Sequence, residues 1–230
     1  IVLVSVITAL VAFFFKDELF SIVLAPRNSN FFIYKLLGGE PFDIKLVNIG
    51  LTEQFMIHMK TAFCFGILVA SPYILYLLYK FVSPALYQNE RRYALRIVGG
   101  GYVMFIVGVL VNYCVIFPLT VRFLGNYQVS ESVGNMLSLQ SYMDTLMTMT
   151  FVFGVVFEIP VISWLLAMFG LLKAQWMRQY RKNAFVVILI IAAVITPTSD
   201  AFTMSIVALP IWLLYEVSII IVAHTKRVIN

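Results

Sequence analysis

Charge is scarce in this sequence of 230 residues: Asp, Glu, Lys and Arg together make up 12% of it, about half the fraction usual in a soluble domain. So few ionised side chains cannot clothe a water-exposed surface over most of the chain. Histidine and cysteine are rarer still, with two of each. His58 and His224 stand far apart, and Cys64 and Cys114 fall inside apolar runs, where a thiol behaves as a small hydrophobe. Neither a disulfide framework nor a metal or cofactor site is expected. An H-E-x-x-H pair and a G-x-S-x-G elbow are also missing, so the chain is not expected to be an enzyme.

Apolar residues are abundant. They form 62% of the chain, and the mean hydropathy is +0.96. They gather in charge-free blocks such as 61–79 and 97–121, which match the roughly 20 residues a helix needs to cross hydrocarbon. The expected fold class is therefore all-α: a polytopic membrane protein with six transmembrane helices, kinked spans and a short final hairpin. A single membrane domain covers 1–230, with spans at about 1–15, 56–79, 97–117, 142–172, 184–196 and 202–223. The chain opens at Ile1 and is apolar from the start; no small-residue site precedes a soluble region, so a cleaved signal peptide is not expected. Span five is short. Its uncharged stretch covers roughly 25 Å against a hydrocarbon core of roughly 30 Å, so either Arg181 and Lys182 snorkel or the bilayer thins.

The net charge of +5 does not imply nucleic acid, because no basic and aromatic stripe lies outside the spans. In a polytopic protein, basic residues record orientation instead. Placing the loops after spans two and four and the tail after span six in the cytoplasm gives that side ten of the sixteen Lys and Arg residues, in the shorter loops. Both termini are then cytoplasmic. The chain shows no internal repeat of the kind inverted-repeat transporters carry.

Within this frame a few polar residues are informative. Glu158 has thirteen uncharged residues before it and fourteen after it in span four. A lone carboxylate at mid-bilayer costs about 2.5–3.5 kcal/mol on insertion scales, so it is protonated, hydrated or paired. Two residues on, Pro160 cannot donate to the carbonyl of Val156, which predicts a kink beside the acid. Together they suggest a polar recess. Glu216, near the cytoplasmic end of span six, is within reach of Arg181 or Lys182, a structural pairing. Asp200 is placed to cap a helix starting at Ala201, which leaves open a role at the outer surface. Glu90 is the sole acid in the assigned cytoplasmic segments and directly precedes Arg91 and Arg92. It offers a site for a guanidinium ligand, or equally a salt bridge within its own loop. Gly99, Gly100 and Gly101 are expected to permit close helix packing.

Four stretches carry a resemblance to a known family: ASPYILYLLYKFVSPALYQNERR at 70–92, FGVVFEIP at 153–160, Thr196-Pro197 followed by Asp200, and ALPIWLLYE at 208–216. In this order, across spans two to six, they resemble the TatC family, the core of the twin-arginine protein translocase. The resemblance implies a receptor that recognises twin-arginine signal peptides and helps move folded proteins across the bacterial cytoplasmic membrane using the proton-motive force. It implies TatA- and TatB-type single-helix partners and leaves room for an oligomer within the translocase. By residue, it carries signal recognition onto Glu90 and its loop with Arg91 and Arg92, and contact with partner or signal helices onto Glu158. The family's Leu-Glu-Glu-Leu-Arg type segment ahead of the first helix has no counterpart in this sequence, so that part of the signal site has no position on it. A proton- or ion-coupled small-solute transporter is the alternative of another class, with Glu158 as its proton or cation site, and a scaffolding subunit is a third.

Overall fold

A computed structural model describes residues 1–28, 30–37, 45–82, 91–126, 136–196 and 200–225; for 37, 78, 79, 81, 82 and 91–98 it describes the backbone alone. Glu90 and the turn residues 197–199 lie outside them. The elements in chain order are α1 (Val2–Phe14), α2 (Lys16–Val23), a 3-10 turn (Ala25–Arg27), α3 (Phe32–Leu37), β1 (Leu46–Val47), α4 (Glu53–Val82) and α5 (Arg91–Val111). A π-helical segment (Asn112–Ile116) follows, then α6 (Phe117–Asn126), β2 (Leu137–Ser138), α7 (Leu139–Val156), α8 (Ile159–Met168), α9 (Ala174–Gln179), α10 (Arg181–Ile195) and α11 (Ala201–His224).

Four helical stretches among the described residues are long and apolar enough to cross a membrane: Glu53–Leu77, Gly99–Asn126, Leu139–Met168 and Ala201–His224. α1 is apolar but has only 13 residues. The four prolines within these stretches are accommodated in different ways. Pro72 leaves the Leu68 carbonyl without its helical donor, and the hydroxyl of Ser71 supplies one at 2.6 Å, so α4 runs on unbroken. Ahead of Pro118 the helix widens into its π segment, which absorbs the interrupted ladder. Ahead of Pro160 the helix is interrupted by a two-residue turn, 157–158, between α7 and α8. α11 continues through Pro210.

The chain divides into two compact units, residues 1–82 with 112–148, and residues 83–111 with 149–230. In the first, α1 lies along α4. A Cβ at Gly66 would come within 2.5 Å of the Ala9 nitrogen, so only glycine lets the two backbones approach this closely. The Thr8 hydroxyl closes the contact on the Gly66 carbonyl at 2.8 Å. The end of α2 leaves carbonyls without helical donors, and tyrosine hydroxyls from later in the chain satisfy them. Tyr113 donates to Ile22 and Tyr142 to Val23. Tyr34 places its one hydroxyl proton between the Pro26 and Pro118 carbonyls at 2.8 and 3.0 Å. Burial pushes the Tyr34 hydroxyl far above its ordinary pKa, with nearby Arg122 offsetting part of the rise, so it stays a donor.

The same unit ties α4 to the start of α7 in three steps. β1 and β2 pair in parallel, Leu46 with Leu137 and Val47 with Ser138. Next, the Glu53 carboxylate accepts from the backbone N–H groups of Ile49, Gly50 and Gln140 at 3.0, 2.7 and 3.0 Å. Lys60 and Asp144 then form an ion pair at 3.0 Å, about half-exposed and so worth roughly 0–1 kcal/mol.

In the second unit, α8 packs on α11, α10 pairs with α11 as a hairpin, and α5 meets α8. Asp200 caps α11: one carboxylate oxygen accepts the Thr203 N–H at 2.8 Å and the other the Thr203 hydroxyl at 2.6 Å. The base of the hairpin is fastened by Arg181 to Glu216 at 2.8 Å and by the Tyr215 hydroxyl to the Met177 carbonyl at 2.8 Å.

Candidate functional site

The break between α7 and α8 presents Glu158. The Glu158 N–H reaches only back to Val155, at 3.0 Å, and its carbonyl accepts from Ile162 at 2.9 Å. Glu158 is thus the N-terminal boundary residue of α8, with Pro160 at the second helical position. Proline costs little there, because first-turn N–H groups have no helical partner. The positive end of the α8 dipole favours a negative group at this point, yet the Glu158 side chain makes no capping bond.

The carboxyl is half-buried, and its Oε1 is enclosed without a hydrogen-bond partner among the described residues. Two ion pairs form among those residues, and neither includes Glu158. Around the bend the packing is close: a Cβ at Gly108 would lie 2.5 Å from the Phe153 carbonyl oxygen, and one at Gly154 would lie 2.6 Å from the Phe105 ring. The arrangement is an acid with spare accepting capacity that faces Gly101, next in line to these aromatic and glycine contacts.

The other sequence-derived residues are dispersed. Arg91 and Arg92 form the first turn of α5, with side chains outside the description, as is Glu90. Asp200 and Glu216 serve the cap and the hairpin ion pair described above. The glycine run departs from expectation. Among the described residues nothing lies within 4 Å of a Cβ built at Gly99 or Gly100, so neither packs closely against another described part of the chain, while Gly101 faces the Glu158 carboxyl. Sequence reasoning missed the Glu53 and Lys60–Asp144 ties. A signal existed for the second, since both are isolated charges beside apolar runs with opposite signs. Among the described residues no group of three His, Cys, Asp or Glu is arranged to hold a metal ion. His58 is instead stacked on Phe13 at 4.1 Å between centroids.

Comparison with known proteins decides the family. A model of the family described as Sec-independent protein translocase protein (TatC) matches residues 1–210. The chain belongs to the TatC family. Among its relatives is the Sec-independent protein translocase protein TatC of Koribacter versatilis, 37% identical over 187 residues, which are 81% of this chain and 68% of the relative. The TatC of Carboxydothermus hydrogenoformans is 31% identical over 225 residues, covering 98% of this chain and 87% of its own. A crystal structure of the twin arginine translocase receptor TatC superimposes with a TM-score of 0.81 at 28% identity, over 96% of this chain and 92% of that one. As a TatC chain it is an all-α, polytopic membrane protein, and the apolar stretches given above are membrane helices.

Proposed function

We propose that this chain is the core subunit of a twin-arginine translocase, recognising twin-arginine signal peptides and helping folded proteins cross the bacterial cytoplasmic membrane with the proton-motive force. It spans that membrane six times with both termini in the cytoplasm, and works with TatA- and TatB-type single-helix proteins rather than as an enzyme. The observation that carries the reading is Glu158. An acid with an unpartnered oxygen, deep in an apolar helix, suits a polar group delivered by another transmembrane helix. At the cytoplasmic face, Glu90 with Arg91 and Arg92 receives the cationic signal.

The deciding experiment captures a labelled twin-arginine peptide on the purified protein and compares cargo transport with and without the single-helix partners. Capture, with transport that requires partners, supports the reading. Movement of a small solute by the protein alone would replace it with the transporter alternative. Orientation is checked by cysteine labelling of intact cells: an impermeant reagent is expected to modify Ser132→Cys and to spare Gln88→Cys, and the reverse pattern inverts the topology.

Glu90→Gln keeps side-chain size and removes the charge. A charge-assisted hydrogen bond contributes about 1.5–3 kcal/mol, and partial hydration in a loop places this one at the lower end. Peptide affinity is expected to fall about tenfold. Unchanged affinity in a peptide-binding titration returns Glu90 to a salt bridge within its loop.

A further inference from the structure

Three consecutive glycines sit on α5, where glycine weakens a helix relative to alanine. Two of them have no close neighbour among the described residues: a Cβ at Gly99 or Gly100 meets none within 4 Å. Gly101 is different. It is buried, and a Cβ there would lie 3.0 Å from Oε2, 3.5 Å from Oε1 and 3.6 Å from Cδ of Glu158. Its three nearest neighbours are therefore atoms of one carboxyl group.

The contact belongs to an ordered series. Residues 101, 105 and 108 share one face of α5 at the helical spacing i, i+4, i+7. Along that face Gly108 meets Phe153 and Phe157, Phe105 meets Gly154, and Gly101 meets Glu158. The first two contacts are apolar packing around the bend. The third sets bare backbone against a carboxyl whose Oε1 is enclosed and without a partner among the described residues. A methyl group at 101 would be tighter than ordinary contact, so the Glu158 carboxyl has to give by a few tenths of an ångström. The oxygen that has to move is Oε2, since Oε1 and Cδ stand at ordinary contact distance.

We propose that Gly101 is a positioning residue for Glu158: its missing side chain leaves the space in which the carboxyl stands, with accepting capacity turned to a donor on a partner helix. This rests on the reading of Glu158 as a polar contact site. It sets two effects of Gly101→Ala against each other, since alanine strengthens α5 while displacing the acid.

The test measures two quantities in proteoliposomes: modification of Glu158 by a membrane-soluble carbodiimide, read by peptide mass spectrometry, and cargo transport with the partner proteins present. Gly101→Ala is expected to lower each about tenfold, within the coupling range of contacting residues. Gly99→Ala and Gly100→Ala are expected to stay within about twofold of the parent in both. Alanine suits a helix in all three variants, so loss of folding does not mimic the result. Glu158→Asp withdraws the carboxyl by about 1.5 Å, one carbon–carbon bond. Adding Gly101→Ala to Glu158→Asp is expected to cost nothing further, whereas a general packing role makes the two losses multiply. Carbodiimide modification at the parent rate in Gly101→Ala, equal losses at 99 or 100, or multiplying losses overturns the positioning role. Normal transport by Glu158→Ala instead overturns the contact-site reading beneath it, so the two failures are distinguishable.

Discussion

Glu53→Ala is expected to lower the melting temperature of the protein. One carboxylate accepts from three backbone N–H groups, those of Ile49, Gly50 and Gln140. A buried donor left unsatisfied costs about 1–3 kcal/mol. The full sum does not apply, because Ile49 and Gln140 are exposed residues and water can reach their N–H groups in part. Glu53 as a whole residue is 9% exposed. Two of the bonds are local turn contacts, while the third joins the start of α4 to the start of α7 and is lost with them. Thermal unfolding in detergent should show a Tm lower by about 5–15 °C. Glu53→Gln retains one accepting oxygen and should lose about half as much. An alanine variant that melts with the parent would reduce the carboxylate to a surface ornament on the β1–β2 pairing. Lys60→Ala provides the contrast, since a half-exposed ion pair predicts a change below about 1 kcal/mol.

The helical class was legible because hydrophobic blocks and isolated charges report directly on the solvent a segment occupies. Glu158 stood out by the same logic: one carboxylate in a long apolar run is costly wherever the chain folds. Its proline neighbour foretold a kink, because the missing donor is a covalent fact. The three-step tie between α4 and α7 was not legible. Gln140 contributes a backbone N–H, which carries no signature of its partner in side-chain identity, and the β1–β2 pair is two residues long on each side. The tyrosines show the same limit, since Tyr34, Tyr113 and Tyr142 find carbonyls 8 to 119 positions away. The glycine run misled for a related reason. Composition says that glycine allows close approach, but the neighbour decides whether approach occurs, and at Gly99 and Gly100 there is none among the described residues. Gly66, Gly108 and Gly154, isolated and unremarked in the sequence, are the residues where backbones or rings come together.

Glu158→Ala is expected to reduce cargo transport about a hundredfold, and Glu158→Gln to retain part of it. The acid lies at the break between α7 and α8, half-buried, with Oε1 enclosed and without a hydrogen-bond partner among the described residues. No described cation pairs with it, so truncation leaves no buried opposite charge behind. The usual penalty for breaking a buried ion pair therefore does not arise, and removing an acid from an apolar wall relieves a cost. Stability and function should move in opposite directions: melting unchanged or slightly raised, transport nearly abolished. The size of the functional loss follows from a hydrogen bond to a charged group in a low-dielectric setting, about 1.5–3 kcal/mol, whose upper end corresponds to about a hundredfold. Glutamine keeps an accepting oxygen and adds a donor, so it preserves a neutral hydrogen bond and gives up the charge-assisted part. Transport assays in vesicles with partner proteins, paired with thermal unfolding of the same variants, separate the two effects. An alanine variant that carries cargo at the parent rate removes Glu158 from the mechanism. One that loses transport only because it unfolds assigns the acid to the fold, and glutamine failing as completely as alanine shows that the negative charge, not the accepting oxygen, is what the partner helix requires.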